Sequence, residues 1–176
     1  MHLAREALRQ VLYLLDANVL IDANRDYYSI DRVPEFWGWL HHHGEQGNVA
    51  VPLDVYEEIR EGNDALATWS RSEEFRENLL FAEEVDPELV ARVVDEGYAA
   101  DLTEDQVEEL GRDPFLIAYG LVDPVDRCIV TTERSRPHRQ RHNRHVPDVC
   151  NSFGINSLNT FEFTRELDFR TDWQPG

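Results

Sequence analysis

The stretch that decides the fold is VLYLLDANVLI, residues 11–21. Its first five residues are apolar, too few to span a membrane, and typical of a strand that is buried on both faces of a parallel sheet. Asp16 follows this run directly, and Asn18 comes two residues later. Open α/β sheets bind ligands at the carboxyl ends of their strands, so Asp16 is a candidate site residue. It could equally cap the helix that follows, because aspartate is a good N-cap.

Helical and strand-like segments alternate downstream of this stretch. We predict further strands over 48–53, 126–132 and 155–158, and helices over 19–25, 34–44, 54–61, 64–77, 87–99, 103–110, 115–121, 147–153 and 159–167. This alternation favours an α/β fold with three layers, in which a mostly parallel central sheet is flanked by helices. We expect one domain over residues 1–168 and a loose tail over residues 169–176.

The composition is acidic and lacks lysine. Thirty-five acidic residues face 17 basic ones, all of them arginine, which gives a formal net charge of -18. A P-loop NTPase needs a lysine on its phosphates, and haloacid-dehalogenase-type phosphatases and receiver domains normally rely on one too, so these classes are excluded. A salt-rich cytosol or a GC-rich genome would each account for this composition.

The sequence predicts neither a membrane span nor a secretion signal. No apolar run approaches the ~18 residues of a membrane span, and the first residues, MHLAREALRQ, lack an apolar signal core. We therefore expect a cytoplasmic protein. Cys128 and Cys150 lie in strand-like and helical segments and are predicted to be reduced core residues.

Three consecutive histidines, residues 41–43, end the second predicted helix. Neighbouring residues on a helix point about 100° apart, so the three rings cannot share one metal ion. Favourable interaction with the negative end of the helix dipole is the simpler interpretation.

Four carboxylates stand out by their positions. Asp16 and Glu133 end predicted strands, Asp113 opens a predicted helix, and Glu58 lies on the helix predicted over 54–61. Glu58 has a neighbour, Glu57, in the segment VYEEI. At 100° per residue Glu57 points away from the apolar face of that helix, whereas Glu58 flanks its edge and could reach a pocket. Asp113 precedes a proline, a pairing that helix capping alone would explain.

Together the four acids predict a metal site, because this fold would bring them to one edge of the sheet. Two carboxylates about 4 Å apart repel each other by roughly 4 kcal/mol at an effective dielectric near 20. Without a cation some of them would have to bind protons. Oxygen ligands alone favour Mg²⁺ or Mn²⁺, which could activate water for in-line attack on a phosphate.

The segments LLDANVLI, VYEEI, DPFLIA and VTTE resemble, in this order, the four acidic motifs of the PIN-domain superfamily of metal-dependent ribonucleases. The resemblance extends over nearly the whole chain. The segments FWGWL and PDVCNSFGINSLNTFEF are similar to a PIN-like branch whose members are mostly of unknown function. The superfamily includes VapC-type toxin ribonucleases. The resemblance therefore implies a PIN-like nuclease fold, an RNA substrate, a cognate antitoxin protein and a possible homodimer.

Carried over by motif, the resemblance implies metal-binding and catalytic roles for Asp16, Glu58, Asp113 and Glu133, and supporting positions for Asn18 and Thr131. Many PIN domains have aspartate in place of Glu133 and a second acid shortly after it, where this chain has Arg134. Asp148 could supply the missing carboxylate, or it could simply open the helix after Pro147.

A basic segment, residues 134–145, begins next to Glu133. It contains three histidines, no acid, and five arginines: Arg134, Arg136, Arg139, Arg141 and Arg144. Such a block is often a solvated loop. Beside a metal site, however, its guanidinium groups could bind the phosphates that flank the scissile one.

The sequence therefore predicts a Mg²⁺- or Mn²⁺-dependent endoribonuclease, the toxin component of a toxin-antitoxin pair. The alternative from a different class is a catalytically silent PIN-like module that binds RNA or protein. A DNA flap nuclease is a third interpretation, but the sequence shows no helical clamp or additional DNA-binding domain.

Overall fold

The fold is built on a five-stranded sheet, as seen in a computed structural model that describes residues 9–175. All strand pairs are parallel, and the strand order is β3-β2-β1-β4-β5. The strands are β1 (Leu12–Leu15), β2 (Val49–Pro52), β3 (Leu80–Phe81), β4 (Arg127–Val130) and β5 (Asn156–Leu158). The predicted α/β fold is confirmed, with a sheet that is wholly rather than mostly parallel.

Helices connect the strands and flank the sheet. They are α1 (Ala17–Asp22), α2 (Pro34–Glu45), α3 (Leu53–Ile59), α4 (Ala65–Ser70), α5 (Glu73–Asn78), α6 (Pro87–Arg92), α7 (Glu104–Glu109), α8 (Asp113–Leu121), α9 (Val146–Ser152) and α10 (Thr160–Glu166). Two of them widen into π-helical turns: α1 into Ala23–Tyr27, and α6 into Val93–Tyr98. A 3₁₀ turn, Arg141–Asn143, interrupts the basic segment.

β1 is the central strand, as its unbroken apolar sequence predicted. Leu14 and Leu15 are fully buried, and β1 pairs with β2 on one side and with β4 on the other. The chain builds β1, β2 and β3 in one direction and then crosses back to place β4 beside β1. The carboxyl ends of β1 and β4 therefore flank the crevice where α/β sheets of this kind bind ligands.

Local structure departs from the prediction between β2 and β4. The single helix expected over 64–77 is two helices, because the Ser72 hydroxyl accepts a hydrogen bond from the Phe75 N–H and starts α5. β3 was missed because it has only two residues. The helix expected over 87–99 is regular only to Arg92 and then widens into the π turn.

Residues 169–173 are docked on α2, so the prediction of a loose tail is wrong for this segment. The Phe169 ring lies 5.0 Å from the Trp39 ring and 5.4 Å from the Phe36 ring. The Trp173 indole N–H donates to the Glu35 carbonyl at 2.6 Å. Aromatic side chains bury a large apolar surface, which holds this segment in place.

Several smaller predictions can be compared with the structure. Cys128 and Cys150 are both buried and free, and burial raises the pKa of the Cys128 thiol to about 12. The rings of His41 and His42 contact different tryptophans, Trp69 and Trp173. Within residues 9–175, no helix is long and apolar enough to cross a membrane. The first eight residues of the predicted domain lie outside the described part.

Candidate functional site

Asp16 lies at the crevice between β1 and β4. Its side chain is only 9% exposed, and its N–H donates to the Val130 carbonyl at 2.9 Å. One carboxylate oxygen accepts a hydrogen bond from the Thr131 hydroxyl at 3.0 Å. Asp16 occupies the N-cap position of α1, but its side chain makes no capping hydrogen bond. Capping therefore does not explain this buried carboxylate.

Thr131 links Asp16 to Glu133. The Thr131 hydroxyl oxygen accepts a hydrogen bond from the Glu133 N–H at 3.2 Å while the hydroxyl donates to Asp16. The Glu133 carboxylate accepts a hydrogen bond from the N–H of Val146, the first residue of α9, at 2.7 Å. Both acids are thus held in orientation by groups on β4 and α9.

Asp113 is the first residue of α8, whose N-cap position is occupied by Arg112, and no side chain at the N-cap bonds to this helix. Elsewhere the chain uses side-chain caps regularly, at Asp64, Ser72, Asp86, Thr103 and Asn159. Asp16 and Asp113 stand at helix starts without making such bonds. Helix capping, the simple alternative to a role in a functional site, is therefore less well supported for both residues.

Burial and mutual repulsion raise the pKa of both aspartates. The pKa of Asp113 rises to about 7, chiefly through burial and then through the charges of Asp16, Glu133 and Glu58. The pKa of Asp16 rises to about 6, again chiefly through burial, and the charges of Glu133 and Glu58 add to the shift. The Thr131 hydroxyl and the Ala17 N–H partly oppose it. The four predicted acids therefore lie within electrostatic reach of one another.

Glu57 and Glu58 differ in their surroundings, although both are exposed on α3. Glu58 acts on Asp16 and Asp113 and raises the pKa of both. Glu57 instead lies 3.4 Å from the Arg112 guanidinium and is among the causes of neither shift. This division agrees with the choice of Glu58 from helix geometry.

The donor set of this site suits a hard divalent cation, but the ligands are not gathered into a complete cage. Within residues 9–175, no group of three or more His, Cys, Asp or Glu side chains is arranged to hold a metal ion. Mg²⁺ is commonly bound through only one or two carboxylates, with water and substrate phosphate as its other ligands. The repelling aspartates, Asp16 and Asp113, fit that pattern in chemistry.

Asn18 and Asp148 lie in different settings. Asn18 is exposed, and its side chain makes no hydrogen bond with the described residues. The Asp148 carboxylate accepts hydrogen bonds from the Ser135 hydroxyl at 2.5 Å and from the Arg136 N–H at 2.7 Å. These bonds tie the basic segment to α9. The supporting role of Asn18 and the metal-binding role of Asp148 stay predictions.

The five arginines of the basic segment fall into two groups. Arg141 forms an ion pair with Asp101 at 2.8 Å. The Arg144 guanidinium donates to the Gly97 carbonyl, to the Asp148 carbonyl and to the Ser152 hydroxyl. The remaining three are exposed and have no side-chain partner among the described residues: Arg134, Arg136 and Arg139. Sequence alone could not separate these groups, because Asp101 is 40 residues from Arg141.

Two adjoining cavities, of about 370 and 480 Å³, form a groove that leads away from Glu133. The smaller one is lined by Thr131, Glu133 and Arg134, and the larger one by polar residues of α9 and β5. The two share Ser135, Pro147 and Ser157. The groove is open, its larger part is mostly polar, and it runs beside the basic segment.

Tyr98 is a neighbour of the acids that the sequence analysis missed. It is buried, and the charges of Asp113 and Glu133 raise its pKa. In the sequence it is one more apolar position at the end of a predicted helix. Its proximity to residues 15 and 35 positions away could not be deduced without the fold.

Comparison with known proteins identifies a family but no activity. A family model described as a domain of unknown function, DUF4411, matches residues 13–171. No curated protein and no solved structure matches the chain. The resemblance to PIN-domain ribonucleases is not tested by this match and stays a prediction. Because the match extends over most of its length, the chain belongs to the DUF4411 family of domains of unknown function.

Proposed function

We propose that this protein is a Mg²⁺- or Mn²⁺-dependent endoribonuclease with a PIN-like fold. The observation that carries the proposal is the pair of aspartates at the start of α1 and α8, the buried Asp16 and the half-buried Asp113, whose pKa values rise to about 6 and 7 through burial and the charges of neighbouring acids. Near neutral pH, Asp113 would be only about half ionised without a cation. A divalent cation would favour ionisation of both groups, because its attraction to the two carboxylates would outweigh their repulsion of each other.

All four acids would take part in binding the divalent cation. Asp16, which is buried, and Asp113, which is half-buried, are the best-placed ligands, since both are less exposed to solvent than Glu58. Glu58 and Glu133 would hold the cation's outer water ligands or bind it directly. Thr131 would orient Asp16 through its hydrogen bond. When bound, the cation supplies Lewis-acid polarisation of the scissile phosphate and activates water for in-line attack.

The exposed arginines of the basic segment support RNA as the substrate. At a net charge of -18 the average field of the protein repels nucleic acid, so binding must rest on a local patch. Arg134, Arg136 and Arg139 provide such a patch beside Glu133, and the adjoining groove offers room for a flexible strand. Their guanidinium groups can grip phosphate oxygens bidentately.

The toxin role is the part of the proposal that rests on motif resemblance alone. It implies a cognate antitoxin, and a homodimer is the expected assembly. Induced expression should arrest growth, and co-expression of a small neighbouring gene should relieve the arrest. Growth arrest that persists in an Asp16→Asn variant would contradict RNA cleavage as its cause.

A catalytically silent binding module is the second candidate. The observation that favours it is the Glu133 carboxylate, of which one oxygen is already engaged by the Val146 N–H. The lack of a ready three-ligand group within residues 9–175 points the same way. Such a module would bind RNA with equal affinity in Mg²⁺ and in EDTA.

Cleavage of a mixed RNA pool separates the two candidates. We expect the purified protein to cleave it in Mn²⁺ or Mg²⁺ but not in EDTA, and Asp16→Asn and Asp113→Asn to abolish cleavage while the far-UV circular dichroism is unchanged. Glu57→Gln is the matched control for a Glu58→Gln variant. The two glutamates are neighbours on α3, but only Glu58 acts on Asp16 and Asp113. Full metal-dependent cleavage by both aspartate variants would refute the proposal.

A further inference from the structure

Tyr98 has a buried hydroxyl without a hydrogen-bond partner among residues 9–175. Its side chain is 7% exposed, and no protein atom accepts from or donates to its hydroxyl. The comparable hydroxyl of Tyr119 donates to an Asp54 carboxylate oxygen at 3.1 Å. Nearly all buried polar groups in folded proteins have a partner, and a missing one is unfavourable. The described residues therefore leave the Tyr98 hydroxyl without a partner.

The position of Tyr98 is fixed by the turn that carries it. The π turn Val93–Tyr98 is clamped at Gly97, whose carbonyl accepts a hydrogen bond from Arg144. A Cβ atom at Gly97 would lie 2.8 Å from Val149 Cγ1 and 2.9 Å from Phe153 Cε2. Only glycine allows this close approach to α9. π-Helical turns are frequent at functional sites, where they place one side chain outside the regular helical register.

The turn that carries Tyr98 packs against two helices associated with the acidic site. It packs against α8, whose first residue is Asp113, and against α9, whose first N–H binds Glu133. Burial and the charges of these two acids raise the pKa of Tyr98. The hydroxyl is therefore a neutral donor at working pH. Carboxylates are good acceptors, yet neither acid accepts from it directly.

We propose that Tyr98 is a positioning residue of the acidic site, whose hydroxyl donates a hydrogen bond to a water or phosphate oxygen held beside Asp113 and Glu133 when a divalent cation is bound. This inference rests on the proposed metal site. An oxygen ligand of the cation at this place would satisfy the donor that residues 9–175 leave without a partner. Groups that orient metal ligands in this way typically contribute 10–100-fold to metal affinity.

A structural water unconnected with the cation is the competing explanation. It would satisfy the Tyr98 hydroxyl equally well, but it would leave metal affinity independent of that hydroxyl. The two explanations therefore differ in whether removal of the hydroxyl weakens the binding of the cation alone, or of a phosphate group in its presence.

The test compares Tyr98→Phe with Tyr119→Phe, each of which removes only a hydroxyl. We expect Tyr98→Phe to bind Mn²⁺ about 10–100-fold more weakly by isothermal titration calorimetry, with an unchanged or higher melting temperature in EDTA. Tyr119→Phe loses the bond to Asp54, so its melting temperature should fall while its Mn²⁺ affinity stays within about twofold.

A second arm identifies the acceptor. If it is a phosphate oxygen rather than water, Tyr98→Phe will bind Mn²⁺ alone normally. It will then bind a slowly cleaved, phosphorothioate-substituted oligonucleotide about tenfold more weakly in Mn²⁺, measured before appreciable cleavage. Equal affinities in both arms would overturn the role of Tyr98 and leave the proposed function standing. Absence of Mn²⁺ binding by the wild type would refute the proposed function, and this inference with it.

A measurement on the intact side chain covers the case in which Tyr98→Phe does not fold. With 3-fluorotyrosine incorporated at position 98, the ¹⁹F resonance should shift on titration with Mg²⁺. A resonance that does not move across a titration saturating the site would overturn the inference. The same label at Tyr119 should not respond, because its hydroxyl already donates to Asp54.

Discussion

Replacing Asp113 with asparagine should stabilise the metal-free protein at alkaline pH while destroying its activity. The pKa of Asp113 rises from 3.8 to about 7 in the fold, a shift of roughly three units that corresponds to ~4 kcal/mol. This free energy opposes folding whenever the carboxylate is charged. Asparagine removes the charge but buries an amide that costs ~1–2 kcal/mol when it lacks partners. The expected net gain at pH 8 is therefore about 2–3 kcal/mol.

The sign and the pH range follow from the raised pKa. Between about pH 4 and pH 7 the native state binds more protons at Asp113 than the unfolded state, so wild-type stability falls as the pH rises through this window. The variant lacks this dependence. Its advantage over the wild type should be largest at pH 8, where the native carboxylate is ionised, and should fall by about 2 kcal/mol, to about 0–1 kcal/mol, at pH 5.5.

Urea denaturation in EDTA at pH 5.5, 7 and 8 measures the effect, and a gain of about 2–3 kcal/mol corresponds to roughly 5–10 °C in melting temperature. Glu57→Gln is the control and should change neither stability nor its pH dependence, because Glu57 is exposed and acts on neither aspartate. Added Mn²⁺ should raise the melting temperature of the wild type more than that of Asp113→Asn. An Asp113→Asn variant that is less stable than the wild type at pH 8, or a difference that does not vary with pH, would refute this account of the site.

Further predictions follow from the site and its surroundings. Thr131→Val removes the hydroxyl that donates to Asp16, so the pKa of Asp16 should rise further and Mn²⁺ affinity should fall by about tenfold in a calorimetric titration. Charge reversal of Arg136 and Arg139 should weaken RNA binding and reduce the slope of log affinity against log salt concentration by roughly one per lost phosphate contact. Charge reversal of the tail residue Arg170 should do neither, and equal effects of the two changes would count against the arginine patch. Gly97→Ala should lower the free energy of unfolding by about 1–3 kcal/mol in urea denaturation, because the new Cβ would overlap Val149 and Phe153.

The sequence carried enough information for the sheet centre and for the edge at which the acids meet. An unbroken apolar strand followed by aspartate predicts both the central position of β1 and the location of Asp16, since buried parallel strands place their carboxyl ends together. Helical geometry also separated Glu58 from Glu57. These predictions rest on local periodicity, which a single chain displays directly.

What the sequence could not provide depends on contacts between distant segments. The ion pair of Arg141 with Asp101 and the clamp of Arg144 on Gly97 assign two of the five arginines to the fold. The hydroxyl of Tyr98 reaches the acids only because a π turn breaks the regular helix before it. Docking of Trp173 on the start of α2 likewise joins segments 138 residues apart. No local pattern encodes such pairings.

The way in which acids hold the basic segment bears on how this acidic protein could bind RNA. Asp101 pairs with Arg141, and Glu109 lies 3.5 Å from His142, so the acidic region between α6 and α8 anchors one half of the segment. The other half, with Arg136 and Arg139, stays exposed. Surface pairs of this kind contribute little stability one by one and weaken as salt rises. Salt should therefore weaken RNA binding through two routes, by screening the exposed arginines from phosphate and by loosening the anchor that fixes their position beside Glu133.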